Sequence, residues 1–202
     1  MSTLIAIPAL SWVYTSFMQS MLALDKQDAQ LIVQMNSLVY DARNNISWAA
    51  MQNGVDRVLW LDSDMTFEPD LLVRLNKDMD ENGLDCVSGY YTSRSADQIP
   101  CIYKSIIWES DNNGKVHSEA TAIDGRPEGL AKVAGVGFGA VLMKTELLKA
   151  VVEAFGAPFY PLPFMGEDLS FCWRVNRLGR EIYCDGRINV GHIGTHIYQG
   201  EY

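Results

Sequence analysis

The sequence predicts an α/β fold with a mostly parallel central sheet, and three observations carry that reading. Short apolar runs alternate with amphipathic stretches through residues 1–90. Such alternation makes parallel strands joined by right-handed crossover helices. One run, Val58-Leu59-Trp60-Leu61, ends abruptly in Asp62-Ser63-Asp64. Bulky residues without helical spacing read as a buried strand, and unpaired charge is rarely buried, so the chain leaves the core at Asp62. After Gly89 the rhythm changes to strand-like segments joined by turns. That predicts an antiparallel hairpin and a small second sheet in the C-terminal half.

Leu4-Ile5-Ala6-Ile7 forms a first strand closed by Pro8 and Ala9. Phe17, Met21 and Leu24 share one side of a helix between Val13 and Leu24. Leu31-Ile32-Val33 is a second strand. Asp41 is placed to cap a helix from Ala42 to about Asn53, which Gly54 stops. The Arg57–Leu61 strand follows. Pro69 opens an amphipathic helix carrying Leu71, Leu72, Leu75 and Met79, and Gly83 ends it. Cys86-Val87-Ser88-Gly89 is the next strand. Ile99 to Trp108 and Lys115 to Ile123 pair across Asp111-Asn112-Asn113-Gly114, because Asn-Gly is a strong hairpin signal. Val133 to Met143 is apolar with alternating Gly135, Gly137 and Gly139, and a short helix covers Glu146 to Ala154. A proline-rich loop is expected to expose Phe159, Tyr160 and Phe164. Gly166-Glu167-Asp168 opens a helix that ends at Gly179, and strands Glu181–Cys184 and Ile188–Val190 lead into Gly191-His192-Ile193-Gly194-Thr195-His196.

Length and composition narrow the function classes. A chain of 202 residues supports one well-buried core, and no linker divides it. With 16 basic and 25 acidic residues the net charge is −9, which argues against nucleic acid as the main partner. No apolar run is long enough to span a bilayer, and the first residues lack the features of a signal peptide. A cytoplasmic protein is expected. The four cysteines, Cys86, Cys101, Cys172 and Cys184, are dispersed and read as reduced thiols.

Five groups of residues carry chemistry. Asp62 and Asp64, at the carboxyl end of a strand, lie where ligands of open α/β sheets bind. Their oxygens suit a hard cation, Mg2+ or Mn2+, and that cation would offset the charge of a diphosphate. Glu167 and Asp168 open a helix, where acids are also favoured by the dipole alone. Their functional reading is a general base at Asp168, with Glu167 supporting it or binding acceptor hydroxyls. His192 or His196 can complete a site begun by carboxylates, with His192 favoured because it directly follows a strand. Gly137 and Gly139 allow either close approach of a substrate or tight strand packing. Arg43 is either a solvated charge or a fork for a donor phosphate or sugar.

As an ordered set these residues resemble the GT-A glycosyltransferases, and within them the family 2 enzymes and their small bacterial and viral relatives. The resemblance rests on Ile7-Pro8-Ala9, Ala42-Arg43-Asn44, Leu61-Asp62-Ser63-Asp64, Gly137-Phe138-Gly139, Gly166 to Cys172 and Gly191-His192. It implies one Rossmann-like GT-A domain over 1–202, with a nucleotide-binding half at 1–90 and an acceptor-binding half at 91–202. It implies a nucleoside-diphosphate sugar donor, most simply a UDP-sugar, and a glycan or other hydroxyl acceptor. Pro8, Ala9, Arg43, Asp62 and Ser63 would contact the donor, with Gly137 and Gly139 beside its sugar. Asp62, Asp64 and His192 would hold the metal, and Asp168 would be the base. Leu10 and Ser11 stand where the family usually carries Tyr-Asn.

Two rival readings come from other classes. Asp62-Ser63-Asp64-Met65-Thr66 fits the Asp-x-Asp-x-Thr pattern of haloacid-dehalogenase-like phosphatases, with Asp62 as nucleophile. That family, however, places the motif near its start. A nucleotide-sugar-binding module without turnover is the third reading.

Overall fold

The computed structural model describes residues 1–194. The first half runs β1 (Thr3–Pro8), α1 (Thr15–Ala23), β2 (Gln30–Gln34), α2 (Val39–Gln52), β3 (Arg57–Leu61), β4 (Met65–Phe67), α3 (Leu71–Asn82) and β5 (Cys86–Tyr90). The second half runs β6 (Ile102–Ser110), β7 (Val116–Ala122), β8 (Leu130–Val133), β9 (Gly135–Val136), β10 (Ala140–Lys144), α4 (Thr145–Phe155), α5 (Glu167–Arg177) and β11 (Ile182–His192). The main sheet has the order β2-β1-β3-β10-β5-β11-β4, with β8 also on β11; a second sheet has the order β7-β6-β9.

Alternation along the strands builds two cores. Leu4, Ala6, Val58, Trp60, Val141 and Met143 face one way, under Ile46 and Ala50 of α2, Leu147 and Val151 of α4, and Phe171 and Val175 of α5. Ile5, Ile7, Leu59, Leu61, Ala140 and Leu142 face the other way, under Phe17 and Met21 of α1 and Leu71, Leu75 and Met79 of α3. A period of two with both faces covered explains why these strands read as continuous apolar runs.

The strands β1, β2 and β3 are parallel, as expected. The next neighbour departs from the simple alternation. The antiparallel β10 inserts between β3 and β5, pairing Val141 with Trp60 on one side and with Ser88 on the other. Strand direction leaves no mark on an apolar run, so Ala140–Lys144 could not be oriented from sequence. The two short C-terminal strands are one long strand, β11, parallel to β5 and irregular between Asp185 and Asn189. Its far end pairs with β4, a strand of three residues too short to read in the sequence. The hairpin forms as expected, with Trp108 opposite Ser118.

Helix ends moved by a few residues. The α2 helix starts at Val39, before Asp41, which lies in its first turn rather than capping it. There the carboxylate still complements the helix dipole. Gly83 closes α3 in the left-handed conformation at φ 65°. Among the described residues no helix is long and apolar enough to cross a membrane.

A buried acidic pair joins α3 to β11. Asp78 of α3 and Asp185 of β11 share Arg187, whose Nη2 is 2.8 Å from Asp185 Oδ2 and 3.6 Å from Asp78 Oδ1. Arg187 holds Asp185 below its ordinary value in spite of burial. Burial and the Asp185 carboxylate push Asp78 from 3.8 up to about 6. A raised carboxyl pKa means the native state holds its proton more tightly than the unfolded chain. The contribution of Asp78 is therefore favourable at low pH and is lost as pH rises towards about 6. Asp78→Asn should gain about 1 kcal/mol over the parent at pH 8, and the gain should shrink towards pH ~4. Urea unfolding across that range measures it; a pH-independent difference would assign the slope to other groups.

Candidate active site

The carboxyl ends of β1, β3, β5 and β11 meet at one edge of the sheet, and the candidate residues gather there. Pro8 ends β1 and Ala9 follows it. Asp62 directly follows β3, its N–H donating to Gly139 O at 3.2 Å, and a tight turn back to Met65 carries Asp64. Ile193 N–H donates to Asp64 O at 2.8 Å, which ties the end of β11 to that turn. Glu167 and Asp168 come from the N-terminus of α5.

Two cavities share this edge. One, of about 200 Å³, is lined by Pro8, Ala9, Leu10, Ser37, Val39, Ala42, Arg43, Asp62, Ser63, Asp64 and Glu167. The other, of about 360 Å³, is lined by Arg43, Asp62, Asp64, Tyr91, Arg94, Tyr103, Gly137, Glu167, Asp168 and His192, among others. Four residues, Arg43, Asp62, Asp64 and Glu167, line both. A third cavity of about 570 Å³, rich in hydroxyl and amide groups, lies beyond Arg94 and His192.

Arg43 is not a solvated charge. It is 2 % exposed, with Nη2 2.8 Å from Asp62 Oδ1 and Nε 3.4 Å from Glu167 Oε1. Its guanidinium lies 5.0 Å from the Phe138 ring centre and 5.7 Å from that of Trp60, while Nη1 has no hydrogen-bond partner. The aromatic faces take that side of the cation. The fork expected on the donor is thus spent on the protein's own carboxylates. Burial pushes the Asp62 carboxyl up, Arg43 pulls it back and the Asp64 charge pushes it up again, for a net rise.

Asp64 and His192 face each other. His192 Nε2 is 3.5 Å from Asp64 Oδ2, and Nδ1 is 2.9 Å from Thr92 O. A carbonyl only accepts, so Nδ1 carries the proton there and Nε2 points its remaining valence at the carboxylate. Two acceptors aimed at one another need a positive species between them, either a proton on Nε2 or a cation. The Asp64 hydrogen bond accordingly raises the His192 pKa. A ring nitrogen anchored on a carbonyl is also how metal-ligating histidines are oriented. The pair therefore fits a hard cation. Among the described residues no cluster of three or more His, Cys, Asp or Glu side chains is arranged to hold a metal. Asp62, the third candidate, is turned to Arg43. His196 lies outside the described residues.

Asp168 is raised to about 6, by burial first and by the Glu167 charge second. Leu169 N–H donates to its Oδ1 at 2.7 Å, and no protein donor among the described residues reaches Oδ2. The second oxygen is free for a ligand.

The glycines serve packing. A Cβ on Gly137 or Gly139 would sit 3.1 or 2.9 Å from Tyr91 Cζ. Gly139 N–H donates to Tyr91 Oη at 3.1 Å. The space they leave is filled by a protein side chain, which favours the tight-packing reading of the two; Gly137 also borders the larger cavity. Of the loop aromatics, Phe159 is fully buried against Trp60, Phe138 and Phe171, contrary to expectation. Tyr160 and Phe164 are exposed, Phe164 at φ 65°, a conformation bulky residues rarely adopt. The hairpin braces this loop through Trp108 Nε1–H, which donates to Pro163 O at 3.1 Å. Neither Tyr160 nor Phe164 lines the three cavities.

Tyr91, Arg94, Cys101 and Tyr103 line the larger cavity and were missed. The signal available was position: Tyr91 directly follows β5, at the same edge as Asp62 after β3.

No protein-family model matches the chain, and no curated protein matches it. Among the solved structures similar in fold are the following two. The crystal structure of A197 from STIV aligns with a TM-score of 0.61 at 18% identity, over 100% of this chain and 99% of that one. GalNAc-T7, solved with UDP, GalNAc and Mn2+, aligns with a TM-score of 0.58 at 11% identity, over 96% of this chain and 44% of that one. Identities this low carry the fold alone. The chain has a mixed α/β fold similar to the GT-A glycosyltransferases, with a mostly parallel central sheet and a small antiparallel second sheet.

Proposed function

We propose that this protein is a metal-dependent glycosyltransferase, moving a sugar from a nucleoside diphosphate, most simply UDP, to a hydroxyl acceptor. The observation that carries the reading is the convergence of Asp62, Asp64, His192 and Asp168 on one cavity at the carboxyl edge of a GT-A-like sheet. The likeness to a fold solved with UDP and Mn2+ supports it.

The smaller cavity takes the nucleoside. Pro8, Ala9, Leu10 and Val39 offer apolar surface, and Ser37 and Ser63 offer hydroxyls. Asp64 and His192 would hold Mn2+ or Mg2+, with Asp62 beside them, and the bound cation offsets charge on the leaving diphosphate. Arg43 keeps Asp62 and Glu167 fixed. Asp168 Oδ2 accepts the proton of the acceptor hydroxyl as its oxygen attacks the sugar carbon. Glu167 borders the same cavity and helps hold acceptor hydroxyls. A phosphatase reading would require Asp62 as nucleophile, yet its Oδ1 is held by a buried arginine. A pure binding module would have no use for a base at Asp168.

Calorimetry with UDP tests the reading directly. Mn2+ should tighten UDP binding by roughly tenfold or more. Asp64→Ala should remove that gain. Equal UDP affinity with and without metal would overturn the metal assignment.

A further inference from the structure

Both aspartates of the acidic pair hold an arginine, but in opposite ways. Arg43 on Asp62 is 2 % exposed and boxed by aromatic rings, so it has nowhere to go. Arg94 on Asp64 is 50 % exposed, while Asp64 itself is only 21 % exposed. Arg94 Nη1 lies 3.0 Å from Asp64 Oδ2, and His192 Nε2 lies 3.5 Å from that same oxygen. A guanidinium thus occupies the position beside Asp64 that a metal ion would need.

We propose that Arg94 is a displaceable stand-in for the metal, neutralising Asp64 in the donor-free protein and leaving that oxygen when a divalent cation binds. The inference rests on the metal-dependent reading above. Its physical basis is an asymmetry of burial. Asp64 is enclosed enough to need a counter-charge at all times, whereas Arg94 regains water on release and loses little, because half-exposed ion pairs are weak. A divalent ion on Asp64 Oδ2 would stand within a few ångströms of the guanidinium, and like charges at that range repel. Arg94 lines both the larger cavity of the site and the polar cavity beyond it. When released it remains at the mouth of the site, where its planar fork suits a diphosphate. Cation and nucleotide are then coupled through one side chain. The diphosphate draws the arginine away, and the cation takes the vacated oxygen.

The test is Mn2+ affinity, measured by calorimetry on the full chain with and without saturating UDP. Arg94→Gln should bind Mn2+ alone about fivefold tighter or more than the parent, and the gain in Mn2+ affinity caused by UDP should shrink correspondingly. Arg94→Lys, which keeps a charge at the same place, should restore weak binding of Mn2+ alone. An Arg94→Gln protein whose Mn2+ affinity is unchanged or weaker overturns this inference and leaves the metal site standing. No Mn2+ binding by either protein, even with UDP, overturns the metal-dependent reading and this inference together.

Discussion

Replacing Asp168 by Asn is expected to reduce transfer by on the order of a thousandfold, the range lost when a general base is removed. Binding of UDP and Mn2+ should change little, because Asp168 lines the larger cavity and not the smaller one and makes none of the proposed metal contacts. Asn keeps the size of the side chain and can still accept from Leu169 N–H, so α5 should start as before. The parent enzyme should also show this group in its pH profile. Burial and the Glu167 charge push the Asp168 carboxyl up to about 6, and in the proposed mechanism it works only when ionised. Turnover should therefore fall as pH drops through about 6 and level off above it, with that limb absent from the residual rate of the variant. Single-turnover rates with a nucleotide sugar and its acceptor measure both effects. Full activity in Asp168→Asn would remove the residue from the mechanism.

Arg43→Met should cost about 3–5 kcal/mol of stability, the range for breaking a buried ion pair from one side. Methionine keeps much of the volume between Trp60, Phe138 and Phe159, so the loss isolates the charge rather than a cavity. Asp62 and Glu167 would be left facing each other with no cation between them. Because protonation relieves that repulsion, the deficit should shrink as pH falls. Urea unfolding at neutral and acidic pH gives both numbers. A variant as stable as the parent would mean that the guanidinium holds nothing in place. Since domains of this kind are stable by only about 5–15 kcal/mol, the variant is expected to fold less completely at growth temperature.

What could be read in advance follows from what each signal depends on. The end of β3 was legible because an apolar run stopping at Asp62 is a local event. Asp168 and His192 stood out as candidates because few other residue types do their chemistry, and the fold brings both to the larger cavity. Arg43 was not, since its meaning depends on burial and on Glu167, 124 residues away in sequence. Phe159 was misplaced for the same reason. A proline-rich stretch predicts a loop, but not whether the loop folds over the core. Tyr91 and Arg94 join the cavity of His192 because β11 lies beside β5 and brings His192 against Thr92. The glycines after Val136 announced close packing without saying what would pack. It is Tyr91, which directly follows β5.

The position of β10 has a consequence for how the chain acquires its structure. Strands β3 and β5 do not pair with each other; the segment between them arrives some fifty residues after β5 has been made. Until Ala140–Lys144 is available, the nascent sheet has a gap at its centre, and the two strands that frame the acidic edge present unpaired backbone. Closing that gap requires contacts distant in sequence, which slows folding. Residues 1–90 contain the early β-α alternation but lack the strand that joins β3 to β5. The aspartate pair acquires its geometry only once the late strand has been threaded into the middle of the early ones.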